Sequence, residues 1–300
     1  MRIRLCASCI AIALQWYAHG LGAEEVVVYR TVNDLPARSV VERFEKETGI
    51  ALRLLPHNSR AEVTELSDRL TGEKNQPRAD VLWSIPARAV IILYNRDLFG
   101  DPEELPTSVL DMMNPRFNRK ACMANPSLGT TSMYAAALFE VLGTDFAEAF
   151  FSSLKTNKVA FLSSTTEVRR RVAAGEFFFG IADTDDFYTA VKEGEPVGAL
   201  FPDQKSFGAL VIPNALVLLA NAPNPAQGKQ FIDFLLRPEI QKLLADGDAG
   251  QIPDGLGTSV RGGIPSLDTV KPMEVDYGKL VFKAKELSQG FLKEWIKKEK

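Results

Sequence analysis

The sequence predicts an α/β fold in which short buried strands alternate with amphipathic helices. Val26–Tyr29 is an apolar strand, Pro36–Thr48 has apolar residues at helical spacing, and Ile50–Leu55 alternates as a second strand. This order predicts a parallel pair joined by a right-handed crossover. The 300 residues, 46% of them hydrophobic, suit one large domain or two modest ones. Pro213, inside the apolar run Gly208–Ala220, predicts a bend where the chain passes between two lobes.

The following elements continue the alternation, with turns rich in glycine, proline and asparagine between them. The predicted strands are Ala79–Ser84, Ala89–Asn95, Lys120–Ala124, Val159–Leu162, Phe177–Ala182 and Val197–Phe201. The predicted helices are Ala61–Leu70, Met133–Leu142, Asp145–Leu154, Thr165–Ala174, Phe187–Gly194, two that begin after Asn224 and at Pro238, and Tyr277–Lys300.

Residues 1–23 have the layout of a secretory signal peptide. Arg2 and Arg4 form a basic start, Leu5–Leu14 is an apolar centre too short to span a bilayer, and small residues follow up to Ala23. Removing them takes away two arginines and no acid, so the mature chain is more negative than −3, which argues against a nucleic-acid partner. It also leaves Cys122 as the one cysteine, and therefore no disulfide. Because no later run suits a membrane span, we expect an exported, soluble, periplasmic protein.

An acidic turn follows the apolar run Phe177–Ala182. The chain changes here from apolar residues to three acidic ones, Asp183, Asp185 and Asp186. A helical pattern that includes Tyr188 begins at the same place. In open α/β sheets, ligands bind beyond the carboxyl ends of the strands. Capping of the helix would explain one aspartate, but like charges repel, so the cluster favours substrate binding by these four residues.

A second polar turn precedes the helix predicted at Met133–Leu142. Ser127, Gly129, Thr130 and Thr131 place hydroxyl groups and a flexible backbone where the helix begins. Free N–H groups and the helix dipole make such a turn suitable for binding an anion. An ordinary N-cap needs only one hydroxyl, so we predict a substrate-binding turn here, with capping as the alternative.

Two further candidate binding residues lie in the N-terminal part of the chain. Asn33 belongs to the loop after the first strand, where a ligand-facing position is expected. Ser59 lies just before the helix predicted from Ala61, and either Asn58 or Ser59 would cap that helix.

Catalytic chemistry finds little support in the residues. His57 is the only histidine after residue 23, and no nucleophile elbow, phosphate-binding loop or dinucleotide fingerprint is present. The run Arg169–Arg171 is expected on the solvated side of its helix. We therefore expect no enzyme and no resident cofactor. A periplasmic hydrolase that uses Asp183, Asp185 and Asp186 stays open as the alternative, although nothing nominates a second catalytic acid.

Several segments together resemble the ferric-iron-type periplasmic solute-binding proteins of ABC importers. The resemblance covers roughly Glu24–Gly250. It is carried by Val27–Tyr29, Phe44–Ile50, Ala79–Ser84, Tyr94–Asn95, Pro126–Thr130, Thr184–Asp186 and Phe231–Glu239. This resemblance implies a bilobal fold of the second periplasmic binding class. Such a protein closes on a ligand in the cleft between its lobes, acts as a monomer and delivers the ligand to a membrane permease.

The resemblance also implies domain boundaries and a deletion. The first lobe is expected to combine residues 24–95 and 214–300, and the second to contain residues 96–213. Relatives usually place a helix and a loop between the strand that ends at Ser84 and the strand that begins at Ala89. We expect that this segment is deleted here. A shortened first lobe makes a degraded, non-binding copy a further alternative.

The iron ligands of the resembling family do not carry over to this chain. Val32 or Asn33 stands where iron binders have a histidine, Asp185 and Asp186 stand where they have a tyrosine pair, and Ile85 replaces an acid. Phenolates with a carboxylate suit Fe³⁺ better than scattered aspartates do. The anion-binding turn does match. We therefore expect a small organic or phosphorylated solute, or a metal–anion complex, as the ligand.

Overall fold

The computed structural model describes residues 24–30, 34–56, 69–83, 88–213, 215–246 and 270–297. The chain divides into two compact units. The first is formed by Met1–Ser84 and Ala215–Arg237, and the second by Ile85–Asn214 and Pro238–Lys300. Each unit contains a β-sheet of its own.

Some expectations concern residues outside the described part of the chain. They are the signal peptide over residues 1–23, Asn33, His57, Ser59, most of the helix expected over residues 61–70, and the junction at residues 84–87. These stay predictions. Within the ranges given above, the structure contains no helix with the length and apolar character that a membrane span requires.

The first unit contains a four-stranded sheet flanked by helices. Its elements are strands β1 (Glu25–Arg30), β2 (Ala51–Pro56), β3 (Val81–Trp83) and β10 (Leu216–Leu218), with helices α1 (Asp34–Thr48) and α6 (Pro225–Leu235). The strand order is β10–β3–β1–β2, in which β1 is parallel to β2 and β3, and β10 is antiparallel to β3. The parallel β1–α1–β2 start confirms the pair predicted from the sequence.

An aromatic cluster and a buried carboxylate stabilise this unit. Phe44 of α1 lies 5.2 Å, between ring centroids, from both Phe231 and Phe234 of α6, and all three rings are fully buried. The carboxylate of Asp80 is also fully buried and accepts hydrogen bonds from the N–H of Val27 and from the N–H that precedes α6. Because a buried charge is tolerated only when it is hydrogen-bonded, these bonds fix β1 and α6 to the start of β3.

The second unit contains a mixed sheet and the remaining described helices. Its strands are β4 (Arg88–Asn95), β5 (Ala121–Ala124), β6 (Ala160–Leu162), β7 (Phe179–Asp183), β8 (Val197–Leu200) and β9 (Val211–Ile212). Its helices are α2 (Gly129–Leu142), α3 (Thr144–Thr156), α4 (Thr165–Ala173), α5 (Thr184–Lys192), α7 (Pro238–Asp246), α8 (Tyr277–Gln289) and α9 (Phe291–Lys297). The strand order is β6–β5–β7–β4–β8, and β9 pairs with the start of β4.

Strand β4 lies within the sheet of the second unit, whereas we expected its residues in the first lobe. It runs antiparallel to both β7 and β8, and Val90 and Ile92 enter the apolar core of this unit. The apolar run identifies the strand, but its pairing partners lie about a hundred positions away in sequence. Helices α8 and α9 also belong to the second unit, since α8 packs against α2.

The C-terminal segment forms two helices where the sequence predicts one over Tyr277–Lys300. Helix α8 ends at Gln289, and Gly290 has φ −104° and ψ −110°, which breaks the helical path before α9. Leu280, Ala284 and Leu287 are the buried residues of α8. Their spacing of three and four residues confirms the amphipathic pattern expected for this segment.

The exposure of Arg169 differs from the expectation that the arginine run lies on a solvated face. Its side chain is 4% exposed, and its Nη1 atom lies 2.5 Å from Glu193 Oε2 and 2.9 Å from Glu195 Oε2. Both glutamates lie in the turn between α5 and β8. The buried arginine therefore links α4 to this turn, whereas Arg170 is exposed and Arg171 keeps a half-exposed side chain within a local ion-pair network.

Candidate functional site

The candidate site lies at one edge of the sheet of the second unit. Strand β5 lies between β6 and β7 and is parallel to both, so the carboxyl ends of all three strands meet at the same edge. Strand β4 is antiparallel to β7, and Val90 pairs with Asp183. The first residue of β4, Arg88, is therefore at this edge too. Three strand ends and one strand start place polar side chains together.

The acidic turn after β7 brings three carboxylates close together. Asp183 and Asp186 are buried, at 2% and 7% exposed, whereas the Asp185 side chain is 44% exposed. One oxygen of each carboxylate lies within 4.8 Å of the others. Asp183 is the N-cap residue of α5, yet its side chain makes no capping hydrogen bond. The capping alternative therefore does not explain Asp183, whose carboxylate is directed to other partners.

Arg88 forms ion pairs with two of the three carboxylates. Its Nη1 atom lies 3.5 Å from Asp183 Oδ2 and 3.4 Å from Asp185 Oδ2. The N–H of Ala89 donates to Thr184 Oγ1 at 3.2 Å, which fixes the start of β4 against the acidic turn. Burial acts to lower the pKa of Arg88, but the charges of Asp185 and Asp183 outweigh it and raise that pKa.

The beginning of α2 meets the acidic turn through one side chain. The hydroxyl of Thr130 lies near the carboxylate of Asp183 and acts to lower its pKa. Leu128 is the N-cap residue of α2 and provides no side-chain cap, while Gly129 begins the helix with φ +53°. The alternative of an ordinary hydroxyl cap is therefore not what the structure shows. The first N–H groups of α2 have no partner within the helix.

Burial and mutual repulsion shift the pKa values of the carboxylates upwards. Burial is the largest cause for Asp183, and the charge of Asp185 adds to it, so the pKa lies well above the usual range despite Arg88 and Thr130. For Asp186, burial and then Asp185 raise the pKa to about 6, although the Thr165 hydroxyl and a backbone N–H oppose this shift. The turn therefore binds protons more readily than free carboxylates do, because its partners do not fully offset burial and mutual repulsion.

Four buried polar atoms near these turns have no hydrogen-bond partner in the structure. They are Ser127 Oγ, Asp185 Oδ1, Asp186 Oδ2 and the Tyr188 hydroxyl. Burial also raises the pKa of Tyr188 to about 12, so its hydroxyl keeps its proton and can act as a donor. Because buried polar atoms normally have partners, these four atoms are available to a bound ligand or to water.

The structure unites most of the residues predicted from the sequence. Thr130 contacts Asp183, and the three aspartates form one cluster. Ser127, Gly129 and Thr131 belong to the same turn and helix start as Thr130, and Thr131 is buried.

Sequence reasoning missed Arg88 and Thr165. Arg88 is a charged residue directly before a buried apolar strand, which was the one available signal. Thr165 follows β6 at the same sheet edge. The proximity of Thr165 to Asp186 depends on which strands are neighbours in the sheet, and a single sequence does not show that order.

The family of the chain follows from a comparison with family models. Residues 46–279 match the model described as bacterial extracellular solute-binding protein, which is more than half of the chain. The chain belongs to this family. The family consists of solute-binding proteins, which bind small ligands or metals and work with the permeases of ABC importers. This confirms the function predicted for the chain, an extracytoplasmic solute-binding component of an importer.

Two curated relatives of this solute-binding protein differ in what their names say they bind. An Fe(3+)-binding periplasmic protein of Serratia marcescens is 23% identical, with 93% of each chain covered. A putative 2-aminoethylphosphonate-binding periplasmic protein of Salmonella typhi is 26% identical, with 68% of this chain and 70% of the relative covered. The alignment with the Serratia protein has 322 positions, more than the 300 residues here, so that relative contains residues without a counterpart in this chain.

Solved structures confirm the fold class. Iron-bound HitA from Pseudomonas aeruginosa has a TM-score of 0.75 at 19% identity, with 89% of this chain and 98% of HitA covered. The ferric binding protein from Campylobacter jejuni has a TM-score of 0.73 at 20% identity, with 90% and 99% covered. The solute-binding protein therefore has the α/β class II periplasmic-binding fold that the sequence predicts.

Proposed function

We propose that this protein is exported to the periplasm by residues 1–23 and captures a small solute that carries an oxyanion. It then presents the solute to an ABC permease. Its periplasmic relatives and the predicted signal peptide support the location. In this proposal it acts as a monomer, without nucleic acid and without turnover of the solute.

The observation that carries the proposal is the set of buried polar atoms without partners at two turns: Ser127 Oγ before α2, and Asp185 Oδ1 and Asp186 Oδ2 in the acidic turn. The strands that lead into these turns, β5 and β7, are parallel neighbours, so both turns lie at one edge of the sheet. The free N–H groups at a helix start attract an oxyanion, and the unpartnered Ser127 Oγ offers a further donor. Gly129 begins the helix without a side chain, which leaves the backbone open to the anion.

The carboxylates favour a solute that also carries an ammonium group. An ammonium has three N–H donors, and Asp185 Oδ1 and Asp186 Oδ2 are buried acceptors without a partner. A small aminophosphonate combines such an ammonium with a phosphonate. The name of the Salmonella typhi relative, which contains 2-aminoethylphosphonate, makes this class the first candidate.

A metal–anion complex is the second candidate, because three carboxylate oxygens lie within 4.8 Å of one another. Hard cations prefer such oxygen ligands. The Serratia relative and HitA, by their names, bind iron. The positive charge of Arg88 within this cluster acts against an isolated metal ion, so a metal would have to arrive with its anion.

A thermal unfolding panel tests the proposal and its alternatives. The natively purified protein is melted with 2-aminoethylphosphonate, ethylphosphonate, inorganic phosphate and ferric citrate. A solute that binds only the folded state raises the midpoint in proportion to its concentration. We expect the largest shift with 2-aminoethylphosphonate and a smaller one with ethylphosphonate, with no product formed.

Two results would contradict parts of this account. A melt that none of these solutes changes would support a non-binding copy of the family. Product formation that Asp185→Asn and Asp186→Asn abolish, while the midpoint shift remains, would support a hydrolase.

A further inference from the structure

We propose that Arg88 sets the specificity of the carboxylate turn by keeping metal ions out of it. The inference rests on the proposed function, because it concerns the same turn. In this proposal, one side chain determines whether the turn binds a metal ion or an organic ligand.

Without Arg88, the three carboxylates of the acidic turn would suit a hard cation. One oxygen each of Asp183, Asp185 and Asp186 lies within 4.8 Å of the others. Hard cations take oxygen ligands, and carboxylates with this proximity are the usual donors. Asp185 Oδ1 and Asp186 Oδ2 are buried and without partners, so the turn still lacks a positive group on that side.

The guanidinium of Arg88 lies beside two of these carboxylates. Nη1 of Arg88 lies 3.5 Å from Asp183 Oδ2 and 3.4 Å from Asp185 Oδ2. A metal coordinated by either oxygen would lie about 2.0–2.6 Å from it, and therefore within roughly 6 Å of the guanidinium. Two positive charges at that separation in a partly buried turn repel each other. The repulsion grows with the charge of the metal.

The pairing of β4 holds Arg88 beside the acidic turn. Its backbone pairs with Ile212 in β9, and the N–H of the next residue, Ala89, donates to Thr184 Oγ1. The side chain is 21% exposed. Arginine does not lose its proton in proteins, so its charge persists at every physiological pH. An ammonium that shares these carboxylates with Arg88 carries only one charge and lies about 2.7–3.2 Å from their oxygens, farther than a coordinated metal, so Arg88 repels it less.

The test is a titration with terbium(III) alone, a hard trivalent ion, in a chelator-treated buffer without phosphate. We expect no saturable binding to the unmodified protein in the range below about 1 mM, where even weak oxygen sites for hard cations bind. Arg88→Gln removes the charge but keeps a polar side chain. We expect it to bind terbium at least about tenfold more tightly, since the repulsion is gone. Adding Asp185→Asn to Arg88→Gln should remove the gain.

Matched controls separate this effect from a general change of charge. Arg171→Gln removes an equal charge from the half-exposed network with Glu167 and Glu176, and should not create terbium binding. Arg88→Lys keeps the charge and should also bind no terbium. Circular dichroism shows whether each variant is folded.

Three results would overturn the inference. They are saturable terbium binding to the unmodified protein that Asp185→Asn abolishes, terbium binding to Arg88→Lys, and a folded Arg88→Gln that gains nothing. The first two remain decisive if Arg88→Gln does not fold. A failure of the proposed function is seen separately, in the melts with phosphonates and phosphate, because those melts contain no terbium.

Discussion

The hydroxyl of Thr130, at the start of α2, lies near the buried carboxylate of Asp183, at the end of β7, and acts to lower its pKa. The two residues are more than fifty positions apart in the sequence. They meet because β5, which leads into the turn before α2, is the parallel neighbour of β7. This contact joins a helix start that favours anions to a carboxylate turn that favours cations. The same protein surface can therefore hold both ends of a small zwitterionic solute.

Thr130→Val should weaken solute binding about tenfold, because it removes a hydroxyl at the helix start that favours the charged form of the neighbouring Asp183 carboxylate. The substitution keeps the shape of the side chain, and the pKa of Asp183 should rise further. Isothermal titration with 2-aminoethylphosphonate measures the change. Thr156→Val, at an exposed position at the end of α3, is the matched control and should bind like the unmodified protein. Equal affinities of all three proteins would refute the role of Thr130.

Asp186→Asn should change how stability depends on pH. Burial raises the pKa of Asp186 from 3.8 to about 6, so the folded state holds this proton more tightly than the unfolded state does. Its contribution is favourable below pH 4, and it is lost as the pH rises towards 6. Two pKa units correspond to about 2–3 kcal/mol.

The measurement for Asp186 is urea unfolding between pH 4 and 7.5. The unfolding free energy of the unmodified protein, relative to Asp186→Asn, should fall across this range. Asp183 is present in both proteins, but its pKa falls when the Asp186 charge is removed, so the difference reports the combined change of both carboxyls. A difference that stays constant with pH would show that the Asp186 carboxyl titrates normally.

Gly129→Ala should destabilise the protein by about 1–2 kcal/mol, the cost of a side chain in the left-handed region. Gly129 has φ +53°, while an added Cβ would meet nothing within 4 Å. The loss therefore reflects backbone conformation and not a clash. Gly100→Ala is the matched control, since it also has open space but lacks a positive φ. Chemical unfolding should show a lower stability for Gly129→Ala than for Gly100→Ala. Equal stabilities would contradict the claim that the positive φ at Gly129 causes the loss.

Gly180→Ala should destabilise the protein by about 1–3 kcal/mol through overpacking. An added Cβ would lie 2.5 Å from Val168 Cγ1 and 2.8 Å from the carbonyl oxygen of Cys122. The first neighbour belongs to α4 and the second to β5, so β7 would have to move relative to both. The thermal midpoint measures this effect against Gly100→Ala. An unchanged midpoint would mean that the close approach of α4 to β7 is not required.

Local patterns were sufficient to predict the strands and helices near the candidate site. The change from the apolar run to Asp183 marked the end of β7, and the hydroxyl-rich turn marked the start of α2. Both inferences use only neighbouring residues and the rule that ligands bind at carboxyl ends of strands. The family resemblance then correctly implied the periplasmic-binding fold, which HitA shares.

Features that depend on distant pairing were not accessible in the same way. Arg88 reaches the site because β4 is antiparallel to β7, and the apolar sequence of β4 is compatible with either direction. The same uncertainty placed β4 in the first lobe. Arg169 is buried because Glu193 and Glu195 neutralise it, a partnership that the run of three arginines conceals.

The most direct test of the central claim is to titrate 2-aminoethylphosphonate into the unmodified protein, Ser127→Ala and Asp186→Asn by calorimetry. If the helix start and the acidic turn hold one solute, the unmodified protein binds one molecule, and each substitution weakens binding of that molecule by about tenfold or more. If either substitution leaves the dissociation constant unchanged while the other abolishes binding, the two turns do not form a single site.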